Sequence, residues 1–330
     1  MPSISSDAIT CGQMYQWTPD ESASQFVCPA VAAHMKNGRS KPARTSNWFT
    51  VRTVPVRVTV VYPYAESVSE AKAKAWFSAI KTIASRVDEL SGKDPARPAC
   101  MDLTVYLWDS KKELATSDSD IGSCDANTGL NTRYSMSGNA KIMVYRSEEA
   151  VKTVVHEILH AYQLGEWAND DDDVQEKCRR IAANNGILGL ANARFAPAEA
   201  IVDAMAIRIT VDLFGGCTWQ ACVRHAERVA RQLVAQRGAR WRQCTNAFEY
   251  YILKPVIMAK MDAFLAAHRT GLQRPNKASM RDIVRDEGSF AFVPGRARSQ
   301  RAISMRMTPR ALARGQPKLN VNRFRSTSKR

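Results

Sequence analysis

The sequence predicts an α+β fold, and three observations carry that prediction. Segments of β-branched residues with period-two alternation fall before about residue 150, helical periodicity dominates after it, and one clear helix interrupts the strands. With 330 residues and 45% apolar side chains, the chain can form one large domain or two modest ones.

Residues 1–50 mix Ser, Pro, Asn and small side chains and read as an irregular leader with one short helix over residues 21–35. VPVRVTVVY, Val54–Tyr62, alternates apolar and polar positions as a half-buried strand does. Ser67 and Glu70 then form a capping box that opens a helix to Leu90. MDLTVYLW, residues 101–108, predicts a second strand and KIMVYR, residues 141–146, a third, with TGLNTRYSM between them suited to a short edge strand.

Ser147 followed by Glu148 and Glu149 reads as a helix N-cap with acids in the first turn. Val151, Val154, Val155, Ile158, Leu159 and Tyr162 then recur at helical spacing until Gly165. The aspartates Asp170 to Asp173 read as a solvated loop in preference to a calcium site. Further helices are expected over residues 174–183, over the apolar Pro197–Phe214, over Trp219–Arg237 and over residues 244–268, the last kinked at Pro255. The division is a leader (1–50), a strand-bearing subdomain (51–165), a helical subdomain (166–271) and a tail (272–330) expected to be disordered apart from a helical turn over 280–284.

The formal charge of +15 belongs mainly to that tail: residues 289–330 hold eleven Lys or Arg and no acid, which leaves +4 for everything before. No apolar run reaches the roughly 18 residues of a membrane span, and the first residues lack the basic and apolar regions of a signal peptide. The expectation is an intracellular or virion-associated chain. Eight dispersed cysteines without a CxxC pair read as reduced or incidentally paired.

One stretch carries chemistry. In VVHEILHAYQLGE, His156 and His160 lie four residues apart, so on a helix both imidazoles reach one ion while Glu157 flanks it. Composition alone would produce this pattern in about one chain in 300. A catalytic zinc site takes three protein ligands and leaves a position for water, so a third ligand is needed. Glu199 is the better candidate, because Glu199 and Asp203 share one face of a helix whose other positions are mainly Ala, Ile, Val and Met, where acids need partners. The pair Glu166 and Asp170 has the same spacing but requires a loop that folds straight back on the ion.

HEILH followed by EAIVD resembles the gluzincins, zinc metallopeptidases of the thermolysin-like clan, over roughly residues 54–214. The resemblance implies a zincin-like fold: a small twisted β-sheet packed on the HExxH helix, here followed by a mainly α-helical C-terminal subdomain. It implies Zn2+ held by His156, His160 and Glu199, Glu157 as general base, and Asp203 as the carboxylate that orients a ligating histidine. The expected reaction is hydrolysis of peptide bonds in a peptide or protein substrate, without a covalent intermediate. His225, Tyr250 and Tyr251 are the candidates for stabilising the oxyanion. The rival expectation is a non-enzymatic basic protein that binds nucleic acid through its tail, with a structural or vestigial zinc site; retention of Glu157 argues against it.

The tail reads either as a solubilising or packaging arm or as a contact for nucleic acid or another polyanion; if it binds, its scattered Arg and Lys, with Phe324 alone interleaved near the end, make the contact sequence-independent. Filter binding is expected to show affinity that falls steeply between about 50 and 200 mM salt and disappears when residues 289–330 are removed. Salt-insensitive or sequence-selective binding would contradict it.

Overall fold

A computed structural model describes residues 27–30, 32–33, 43–62, 69–91, 97–109, 111–114, 120–134, 138–267 and 303–304. Strand β1 (Ala43–Val51) pairs antiparallel with β2 (Val54–Tyr62), from Ala43 opposite Tyr62 to Val51 opposite Val54. Residues 43–50 belong to the stretch that composition assigns to an irregular leader, and the correction has a physical cause. β1 is an outer strand with mostly exposed or half-buried side chains, so its place comes from ladder hydrogen bonds to β2, which leave no mark in hydropathy. β2 itself turns Val56, Val58 and Val60 into the core.

Helix α1 (Glu70–Ser91) leads from β2 to β3 (Cys100–Tyr106), which runs parallel to β2. Ser69 caps α1, accepting from the Lys72 amide at 3.4 Å; the predicted cap, Ser67, lies outside the described residues. Past β4 (Glu113–Leu114) and the single turn α2 (Ser123–Ala126), the chain forms β5 (Gly129–Tyr134) and β6 (Asn139–Val144). The order is β1-β2-β3-β6-β5, with β3 and β6 parallel and β5 antiparallel along the outer edge.

Helix α3 (Ala150–Ala161) carries the HEILH motif and packs against β5, β6 and α1. Where the sequence predicts a cap at Ser147, the helix begins three residues later, after Glu149 in the left-handed region at φ 61°. The two acids expected to serve the helix dipole are taken up by Lys112 instead. Glu148 accepts from its amide at 2.8 Å, and Glu149 pairs with its ammonium at 3.2 Å with both side chains fully shielded.

The helical half contains α4 (Asp172–Asn184), α5 (Pro197–Phe214), α6 (Trp219–Arg237) and α7 (Lys254–Ala267). α5 is apolar nearly all round because it lies in the middle, packed on α3 and α7. The kink predicted at Pro255 takes the form of a π turn, Glu249–Leu253, immediately before α7. Proline has no N–H to donate and its ring crowds the carbonyl of Tyr251, and a widened turn relieves both.

One core runs through both halves, joining Val58, Leu103 and Ile142 of the sheet to Ile158 and Leu159 of α3 and to Ile201 and Ala204 of α5. A smaller cluster, Val27, Val61, Tyr106, Leu130, Met143 and Tyr145, covers the other side of the sheet beside a disulfide between Cys28 and Cys124. That bond joins residues 96 apart in sequence, so dispersed spacing gives no hint of it. The pair Ile303 and Ser304 forms β7, antiparallel to β4. The rest of the basic tail, the helical turn expected over 280–284 and most of the leader lie outside the described residues. No helix among the described residues is long and apolar enough to cross a membrane.

Candidate metal centre

One turn of α3 separates His156 from His160, and their Nε2 atoms lie 3.1 Å apart. From the first turn of α5, Glu199 brings Oε2 to 3.2 Å from each of them. Three donors bound at about 2.0–2.1 Å to a common tetrahedral ion sit roughly 3.3 Å from one another, which is the spacing found here. The three side chains could hold a metal ion, and no other such group occurs among the described residues.

The outer nitrogens determine what the inner ones can do. His156 Nδ1 lies 3.0 Å from Asp203 Oδ1, and His160 Nδ1 lies 2.8 Å from Glu166 Oε1. A carboxylate facing Nδ1 places the proton there and turns the Nε2 lone pair inward. Two lone pairs and a carboxylate oxygen then converge on one point, an arrangement that repels itself unless a cation or protons fill it. Gly165, at φ 96°, turns the chain back after α3 and brings Glu166 to His160. The chain does fold back as the rival Glu166 assignment requires, but it meets the far nitrogen of His160 while Glu199 completes the triangle.

Asp203, one turn beyond Glu199, has no exposed surface. Besides His156 it accepts from Lys152 through Oδ1 and from Lys254 at 2.8 Å through Oδ2. The carboxylate is thus shared by α3, α5 and α7. Lys152 stands four residues before His156 on the same helical face, a signal that sequence inspection could have used; Lys254 has no such mark.

Tyr250 on the π turn donates its hydroxyl to Glu199 Oε2 at 2.8 Å. Its neighbour Tyr251 does not line the cleft, and Lys254 Nζ stands 5.8 Å from its ring centre. The rings of the two tyrosines are 82° apart, so a single turn cannot aim both at the ligands. His225 lies half-buried on α6 and belongs neither to the metal group nor to the cleft lining. Of the three oxyanion candidates, the fold therefore brings Tyr250 to the site and leaves Tyr251 and His225 away from it.

Glu157 is buried and lines the cleft where β5 passes. A Cβ at Gly129 would come within 2.7 Å of Thr153 Cγ2, 2.8 Å of Glu157 Oε1 and 2.9 Å of the Met143 carbonyl oxygen, so only glycine allows this approach. Asn131 Nδ2 also donates to the Glu157 carbonyl at 3.2 Å.

Burial opposes charge throughout the cluster, yet the partners decide the outcome. For His160 burial is outweighed by Glu199 and then Glu166, which raise it well above the usual imidazole value; for His156, Asp203 and Glu199 outweigh burial and raise it. Burial alone would raise Glu199, but His160 and His156 hold it well below the carboxylate range. Asp203 is held down against burial by Lys152, Lys254 and His156. Glu157 goes the other way, since burial raises it more than the histidines lower it. Burial, with Glu199 adding to it, raises Tyr250 and keeps its hydroxyl protonated.

Comparison with protein family models, curated proteins and solved structures gives no match for this chain.

The two carboxylates behind the histidines separate experimentally. Asp203→Ala takes the shared partner from Lys152 and Lys254 and is expected to cost about 3–5 kcal/mol in urea denaturation, with metal affinity also reduced. Glu166 is 41% exposed, so Glu166→Gln is expected to lower metal affinity roughly 10- to 100-fold in chelator competition at nearly unchanged stability. Equal affinity for the two variants and the parent would remove both carboxylates from the metal's support.

Proposed function

We propose that this chain is a zinc-dependent metallopeptidase of the gluzincin kind, with a zincin-like arrangement of sheet and HExxH helix. The observation that carries the proposal is the Nε2, Nε2, Oε2 triangle with a carboxylate behind each imidazole and Glu157 beside it. Two imidazoles and one carboxylate are the donor set of a catalytic zinc site, which keeps one position open. A structural zinc site would close its fourth position with Cys or His, and among the described residues neither joins the group.

Zinc bound there supplies Lewis-acid chemistry, acidifying a water and polarising a carbonyl oxygen. Asp203 and Glu166 hold the two rings with the Nε2 lone pairs aimed inward, so the ligands need no reorganisation during turnover. Glu157 accepts the attacking water's proton at its carboxylate and returns it to the leaving amine, and burial raises its pKa, the direction that favours taking up a proton. The Tyr250 hydroxyl reaches the same face of the triangle and remains protonated, so it can donate to the oxyanion that forms on the substrate carbonyl. β5, the outer strand that passes Glu157, offers an extended peptide an edge to pair with.

Glu157→Gln is expected to keep its zinc and lose hydrolysis roughly 10²- to 10⁴-fold, because the ligands and the base are separate residues. Tyr250→Phe is expected to lower kcat roughly 10²- to 10³-fold with little change in KM. Metal analysis beside a peptidase assay on mixed peptides checks both. Full activity in Glu157→Gln would remove the base, and a metal-free parent protein would end the proposal.

A further inference from the structure

Past α5 the chain turns through Gly215 and Gly216, at φ 69° and 87°, and Cys217 follows, one residue before the Thr218 cap of α6. Thr218 Oγ1 accepts from the Ala221 amide at 3.2 Å, and the first turn closed in this way carries Cys222 inward. The two sulfurs meet at 3.0 Å. Carbon atoms in contact stay about 3.5–4.0 Å apart and sulfur is larger, so these atoms stand closer than packing alone brings them. A bond between them needs a further approach of about 1 Å, to about 2.05 Å. Neither cysteine belongs to the metal group or lines the cleft, and the hydrolytic mechanism uses neither.

The pair is asymmetric. Cys222 is fully buried in the core, whereas Cys217 is half-buried at its edge. The Cys222 thiol, hydrogen-bonded to Cys217, holds the Cys217 thiol below its ordinary value although burial opposes this. The same hydrogen bond, with burial adding to it, pushes the Cys222 thiol far up. A thiol that ionises readily near solvent, backed by a buried one that does not, is the arrangement of an attacking cysteine and a resolving one.

The other bridge in the chain gives a comparison. Cys28–Cys124 joins residues 96 apart, whereas Cys217 and Cys222 are five apart. The constraint placed on the unfolded chain grows with the length of the loop closed, so a bond across the shorter loop is less stabilised and reopens more readily.

We propose that Cys217 and Cys222 form a second, reversible disulfide, closed and opened by exchange with low-molecular-weight disulfides and thiols. The Cys217 thiolate attacks one sulfur of the reagent disulfide, whose S–S bond breaks and releases one half as a thiolate. The Cys222 sulfur then attacks Cys217 Sγ as its proton leaves, and the second half of the reagent departs from Cys217. Two protein thiols are oxidised, one reagent disulfide is reduced to two thiols, and those thiols carry off both protons. The bond ties the α5–α6 turn to α6, the helix that packs on α7 and on the π turn bearing Tyr250.

Trypsin cuts after Arg208 and Arg224 and so places both cysteines in one peptide, residues 209–224. The test equilibrates the full chain with mixtures of oxidised and reduced glutathione, quenches with acid, traps free thiols with N-ethylmaleimide in denaturant and reads that peptide by mass spectrometry. Oxidised mixtures are expected to return it untrapped and lighter by two hydrogens, and rising reduced glutathione is expected to open it before Cys28–Cys124. In Cys222→Ser, Cys217 is expected to stop at a mixed disulfide with glutathione; in Cys217→Ser, Cys222 is expected to stay free until the chain unfolds. The parent chain decides the pairing even where a variant does not fold. Both thiols trapped at every mixture, or either one bound to a different cysteine, overturns the disulfide. Reopening no earlier than Cys28–Cys124 overturns its reversibility, and glutathione on Cys222 of folded Cys217→Ser overturns the order of attack.

Discussion

Asp203 meets Lys152, Lys254 and His156 in a place that no water reaches, and the geometry of the site follows from that sharing. A carboxylate cannot enter an apolar helix alone, because desolvation would cost more than the packing returns. Three donors from two other helices repay that cost, and in doing so they fix α3, α5 and α7 against one another. The rotation that places Asp203 against His156 also sets Glu199, one turn earlier, against both Nε2 atoms. The same contact that holds the fold therefore also places the three donor atoms that could hold a metal ion.

The triangle itself is a place where the protein has arranged repulsion. With Nδ1 of each histidine committed to a carboxylate, three electron-rich atoms face one another at 3.1 to 3.2 Å. Protons can relieve this, which is why both histidines are pushed up and Glu199 is pushed down, but a divalent cation relieves it with better geometry. A metal held there would be linked to folding, because the helices that pack to make the core also hold the three donor atoms together in advance.

Much of this was legible in the sequence wherever a residue pattern repeats with its structural period. The alternation of Val54–Tyr62 and the mainly apolar helix Pro197–Phe214, closed by two glycines, fix those bounds without a structure, and the acids in its first two turns are Glu199 and Asp203. The rest depends on partners distant in sequence. β1 is polar and takes its register from β2; Glu149 leaves its expected helix-capping role because Lys112, 37 residues earlier, claims it. Choosing Tyr250 over Tyr251 requires the phase of a π turn, which no helical wheel reproduces. Glu166 was visible as a carboxylate near the motif, but its contact with the outer nitrogen of His160 comes from the reversal at Gly165.

Binding of one zinc by His156, His160 and Glu199 can be read at the metal itself. X-ray absorption at the zinc edge, on protein purified without chelator and with its metal content measured, tests it most directly. The account predicts one zinc per chain, with two imidazole nitrogens and a carboxylate oxygen at about 2.0–2.2 Å. A shell containing sulfur at about 2.3 Å would assign the metal to cysteines instead, and a chain that takes up no zinc would contradict the account outright.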